Sequence, residues 1–111
     1  MRYTVRFALD AQQQLDAIED YIALANGYAA VAEQFVDDIV AYCETFETFP
    51  ERGTQRDDLL PGLRTIGYRR RVTVAYRVDT LSKMVVILGV FYGGQDFEAE
   101  MAQGDLDRDD H

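Results

Sequence analysis

Apolar positions along this chain change spacing several times, and each change marks an element. Tyr3, Val5 and Phe7 alternate with Arg2, Thr4 and Arg6, the spacing of a strand with one buried face. From Ala11 the spacing lengthens. Ala11, Leu15, Ile18, Ile22 and Ala25 fall on one helical stripe, with Asp16, Glu19 and Asp20 mostly off it. Asp10 and Gln13 have the separation of a capping box. Asn26-Gly27 closes the helix, since both residues tolerate a left-handed backbone. A second stripe of Phe35, Ile39, Tyr42, Phe46 and Phe49, widened by Val36, Val40 and Cys43, predicts a helix from about Ala29 to Phe49. Pro50 stops it. So short a connection makes the two helices an antiparallel hairpin.

The polar stretch ERGTQRDDLLPG follows, with its turn at Pro61-Gly62. Then comes a strand-like segment, Arg64 to Val78, rich in β-branched and aromatic residues. Within it Val72, Val74, Tyr76 and Val78 alternate with Arg71, Thr73, Ala75 and Arg77. Asp79 to Lys83 form a turn. Met84 to Tyr92 is apolar on both faces, which predicts a strand inside the sheet. Gly93-Gly94 breaks it. A short helix is expected over 96–103, and the acidic stretch 104–111 is expected to fray. The order is β-α-α-β-β-β. The fold class is α+β, a helical hairpin packed on one face of a small, mostly antiparallel sheet.

Composition narrows the class. The 111 residues suit one domain, placed at 1–103 with 104–111 as a tail, and 48% hydrophobic residues supply a core without staples. The lone Cys43 leaves no internal disulfide and fits a reducing cytosol; on its apolar stripe it is expected to be a buried thiol. No apolar run is long enough to span a bilayer, and the N-terminus is unlike a signal peptide. A cytoplasmic protein is expected.

Charge is distributed unevenly. Residues 1–63 carry four Arg against twelve acids, net −8. Residues 64–95 carry five Arg and Lys83 against Asp79, net +5, and residues 96–111 carry Arg108 against seven acids, net −6. A chain of net charge −9 is repelled by long polynucleotides. No direct nucleic-acid contact is expected, and the cationic segment points to an anionic group or a protein partner.

These stretches, in this order, resemble the ParE/RelE superfamily of bacterial toxins, and its ParE branch of plasmid stabilisation proteins more closely. The resemblance rests on YTVRFALDAQQQLDAI, AEQFVDDIV, FPERGTQRDDLLPGLR, VTVAYRV and VVILGVFYGGQD, and covers residues 2 to about 97. It implies the toxin of a type II toxin–antitoxin module, of the kind that inhibits DNA gyrase. It further implies a cognate antitoxin with a small DNA-binding part, and a homodimer or a hetero-oligomer with that antitoxin. The alternatives are a RelE-type, ribosome-dependent messenger endoribonuclease, or a non-toxic relative that only binds its antitoxin.

The nuclease branch needs a base, an acid and cations for the developing phosphate charge. By resemblance these are Lys and Arg of the central strands, an Arg after the last strand, and a Tyr near the C-terminus. Here Thr73 stands where the strand Arg belongs, and Gly93-Gly94-Gln95-Asp96 carries no cation. His111 is the single histidine. No catalytic set, metal or cofactor is expected. The Ser that commonly caps the family's first helix is Ala8 here, with Asp10 expected to take its role. Arg64, Arg69, Arg71, Arg77, Tyr92, Gln95 and Asp96 are the candidates for contact with an antitoxin or target. Three of these have a plainer reading as well, Tyr92 as a core aromatic with a hydrogen-bonded hydroxyl. Arg64 could pair with Asp57, Asp58 or a helix acid, and Asp96 could cap the short helix. Strand alternation would send Arg69 and Arg71 to one face and Arg70 to the other. It would also turn Arg71 and Arg77 away from the helices.

Overall fold

The computed structural model describes residues 2–93. Its elements are β1 (Thr4–Phe7), α1 (Leu9–Asn26), α2 (Ala29–Glu44), a 3-10 turn (Thr45–Glu47), β2 (Thr54–Gln55), β3 (Leu63–Tyr68), β4 (Val72–Asp79) and β5 (Met84–Tyr92). The strands form one sheet in the order β1-β5-β4-β3-β2. β1 runs parallel to β5, Thr4 opposite Met84, and every other neighbour pair is antiparallel. Both helices lie on one face, as the apolar stripes require. The expected short helix at 96–103 and the tail at 104–111 lie outside the described residues.

The main core sits between the helices and that face. Ala11, Leu15, Ile18 and Ile22 of α1 and Ala32, Val36, Ile39 and Cys43 of α2 meet Val72, Val74, Tyr76, Val85, Ile87 and Val90. On the other face Leu60, Leu63, Ala75, Leu88 and Phe91 make a smaller cluster, joined by Leu59 of the β2–β3 loop. β5 therefore buries side chains on both faces and lies between β1 and β4, which accounts for its unbroken apolar run. A bulge in the β4–β5 pairing between Ala75 and Tyr76 shifts the register from Gly89 to Ile87.

Several expectations are corrected. The N-cap of α1 is Ala8, with no side-chain cap, so Asp10 lies inside the first turn instead of starting a capping box. There it faces the positive end of the helix dipole. Gln12 donates to the Phe7 carbonyl at 3.0 Å. α2 ends five residues early. The Thr45 hydroxyl donates to the Tyr42 carbonyl at 2.6 Å, and the chain tightens into the 3-10 turn. That turn buries Phe46 and leaves Phe49, expected in the core, 62% exposed. Ala25 is also exposed. The polar loop contains β2, which pairs Thr54 with Thr65 and Gln55 with Arg64. Gly53 leads into it at φ 71°, where any side chain would run into the Thr65 carbonyl.

Candidate functional site

The cationic segment does not form one patch. β3 ends at Tyr68 and β4 starts at Val72, directly opposite. Arg69 and Arg70 take left-handed backbone, φ 52° and 66°, and Arg71 N donates to the Arg69 carbonyl at 2.7 Å. The three arginines are a hairpin turn, so the expected face-by-face alternation does not apply to them. Arg69 swings back to the helices, 3.1 Å from Asp38 of α2 and 5.1 Å from the Tyr68 ring centre. Arg71 is exposed and lies against α1, on the helix side of the sheet and not away from it.

Arg64 does something else. Its side chain is half-buried, donates to the Arg52 carbonyl at 3.1 Å and lies 3.7 Å from Glu51. The partner is a loop acid, not Asp57, Asp58 or a helix acid. Arg56 takes Asp58 instead, at 2.9 Å, holding that carboxyl below its usual range, and Asp57 accepts from the Gly62 N–H. Arg77 is exposed on the face away from the helices, as expected from its spacing, near Gly62.

Around Arg71 the surface has a definite shape. A hollow of about 450 Å³ is lined by Gln14, Ala17, Ile18 and Tyr21 of α1 and by Arg71, Val90, Tyr92 and Gly93. Tyr92 packs between two helix aromatics, 5.8 Å from both Tyr21 and Phe35. A second hollow of about 390 Å³ lies over α2, between Val31, Phe35, Asp38 and Arg69. Tyr21, Leu24, Tyr28 and Val31 connect the two across the helix–helix turn and are 51% to 86% exposed. Isolated exposed apolar residues are ordinary; a run of this kind beside guanidinium groups has the composition that protein interfaces concentrate.

The sequence reading missed Arg52, Gln14, Tyr21 and Phe35 as surface-shaping residues. Arg52 lies over Tyr42, Phe46 and Phe49 at 5.6 to 5.9 Å, and its backbone is held at both N–H and C=O by the Tyr76 hydroxyl. Burial raises the Tyr76 pKa, so the phenol stays a neutral structural group. The one usable signal for Arg52 was its place just after Phe49-Pro50. Tyr21 gave its signal by lying three residues beyond Ile18.

Among the described residues that line the first hollow the chemistry is a guanidinium, two phenols and an amide, with no carboxylate, imidazole or thiol. Thr73 sits half-buried in β4, across from Gly67 and Phe91. Gln95 and Asp96 lie outside the described residues. Among the described residues no group of His, Cys, Asp and Glu is arranged to hold a metal ion, and no helix is long and apolar enough to cross a membrane.

Comparison with known proteins fits this architecture. The chain is similar to the chromosomal ParDE toxin–antitoxin system of P. aeruginosa, at 26% identity and a TM-score of 0.70, over 83% of this chain and 97% of that one. It shares its fold with the RelBE2 toxin–antitoxin complex of Mycobacterium tuberculosis, at 23% identity and TM-score 0.60, over 86% and 95% of the two chains. It does so too with an arginine-substituted mutant of the E. coli toxin RelE in the free state, at 17% identity and TM-score 0.59, over 96% and 99%. No curated protein sequence matches. The family model of the ParE toxin of the type II toxin–antitoxin system, parDE, matches residues 5–97, and the chain belongs to that family.

Proposed function

We propose that this toxin acts in the cytoplasm by gripping a protein target, DNA gyrase foremost, and that a cognate antitoxin silences it by covering the same surface. The observation that carries this reading is the run of exposed apolar side chains from Tyr21 to Val31, bracketed by Arg71 and Arg69. Aromatic residues and arginine are what protein interfaces concentrate. The net charge of −9 weighs against a polynucleotide as the first contact. In this reading Arg69, Arg71 and Tyr92 are contact residues, and Gln95 and Asp96 are proposed as contacts too. Arg64 is a scaffold for the Arg52 loop, and Arg77 serves a contact on the opposite face.

The antitoxin segment that fits is an amphipathic helix laid along the α1–α2 side, its acids toward Arg71. The test is twofold. Induction in a bacterial host should arrest growth with a DNA-damage response, and the purified chain should block supercoiling by gyrase. Discrete message ends cut within codons on ribosomes, with gyrase untouched, would replace this reading with the RelE-type nuclease. Full antitoxin binding with no effect on growth would leave a binding module alone.

A further inference from the structure

The two layers of the fold carry opposite charge. The helical hairpin, Leu9–Asn26 and Ala29–Glu44, holds eight acids and no Lys or Arg. The other described residues hold ten Lys and Arg against five acids. Each layer turns one face to the core and one outward.

On the outward face of the sheet, two arginines flank one apolar side chain. Arg6 of β1 is paired with Val86 of β5, and Arg77 of β4 is paired with Val86 from the other side. Val5 and Phe7 pack toward the helices, so Arg6 points the other way; Val86 packs in the outer cluster, and Arg77 shares its face. Both arginines are exposed, and Val86 is half-buried. Two strand spacings separate the arginine backbones, roughly 9.6 Å. No single carboxylate or phosphate spans such a gap. The guest that fits carries two anions with an apolar group between them.

The outward face of α2 has that pattern. Ala32, Val36, Ile39 and Cys43 are its buried side, while Asp37, Ala41 and Glu44 are all exposed. Asp37 and Glu44 stand two turns apart, about 10.5 Å along the helix axis. Ala41 lies between them on the same stripe. An extended segment would put same-face side chains about 6.8 or 13.6 Å apart, a poorer match to the row.

We propose that the outward face of the sheet receives α2 of a second copy of this chain. The two arginines meet Asp37 and Glu44, and Val86 meets Ala41. The two faces lie on opposite sides of the molecule, so the contact is head-to-tail. Each copy keeps one sheet face and one helix face open, and copies add in a row instead of closing as a pair. A stacked copy has its α2 covered, so stacking competes with any other guest of that helix. Repulsion between whole chains of net charge −9 is screened beyond about 8 Å at physiological salt, whereas the paired groups touch. The proposal does not depend on the target read for the Tyr21 to Val31 surface.

The test is sedimentation of the full chain at physiological salt. The weight-average mass should rise with concentration past that of a dimer. Arg6→Glu with Arg77→Glu, and separately Asp37→Arg with Glu44→Arg, should each weaken association about tenfold or more. The urea midpoint should change little, since all four side chains are exposed. An equimolar mixture of the two variants holds one native pairing and one with the charges exchanged. It should associate again, although both variants stay net negative. A mixture that stays monomeric while both variants remain folded overturns the proposal. So does a parent chain that stays monomeric, or one whose mass levels off at a dimer. Association that appears only once residues 104–111 are removed gives the row to the chain's own acidic tail and overturns it as well. Stacking by a chain that leaves gyrase and growth untouched removes the target and keeps this inference.

Discussion

Tyr76 shows how one hydroxyl can fix a loop. It is fully buried, stacks on Phe46 at 4.5 Å, and holds both backbone groups of Arg52. Tyr76→Phe keeps the packing and strands both groups, so it should cost about 1–3 kcal/mol in urea unfolding. Cys43 gives a second check, through pH. Burial pushes its thiol up to about 12 from the usual 9.0, with Glu44 adding to the shift. Below pH 9 its contribution to stability is complete. Above it the unfolded thiol ionises while the native one does not, so stability falls as pH rises toward 12. Tyr76 acts in the same direction, so the comparison is with Cys43→Ala, which should lose less stability than the parent chain between those pH values. The sequence announced both residues as core because both lie on apolar stripes. It did not announce Arg52, because a loop residue over three rings has no periodicity to follow.

The elements were legible where hydrophobic spacing persists and illegible where backbone chemistry intervenes. α1, α2 and β5 stand about where their stripes put them. The hairpin turn was misread because three arginines in a row look like strand, while the chain places two in left-handed backbone. Arg69 is offset by Asp38 and Tyr68, but Arg70 has no such contact among the described residues. Arg70→Gly should therefore stabilise the fold by roughly 0.5–1 kcal/mol, visible as a higher urea midpoint. A cation held at a strained turn position argues for use over stability. The start of α1 offers the converse test. Ala8 has the extended backbone of an N-cap, φ −64° and ψ 158°, and no side chain to cap with. Ala8→Ser should stabilise by about 1 kcal/mol in the same measurement.

At the scale of the molecule, the fold class followed from element order, but the parallel closure of β1 on β5 did not. Alternation in six residues says that a strand exists, not which neighbour it takes. The candidate surface was half visible: Arg69, Arg71 and Tyr92 were named, while their aromatic neighbours depend on how two helices cross a sheet. Combined reversal at Arg69 and Arg71 to Glu should weaken antitoxin binding by about tenfold or more at low salt, with less effect at high salt. The thermal midpoint should move little, since both side chains are largely exposed, and calorimetry on the same samples checks this. Substituting Leu24, 86% exposed, by Lys should reduce binding without loss of stability.

The pairing of Thr4 with Met84 also governs when the protein becomes itself. The strand that β1 and β4 both need is the last described element to leave the ribosome. The helical hairpin is made early and must wait, its apolar stripes without a sheet, until β5 arrives. Sequence-distant pairing of this kind slows folding. A message truncated before the codon of Met84 yields a chain with no closed core and without the β5 side of the first hollow. A nascent chain therefore has an incomplete core until that strand has been translated.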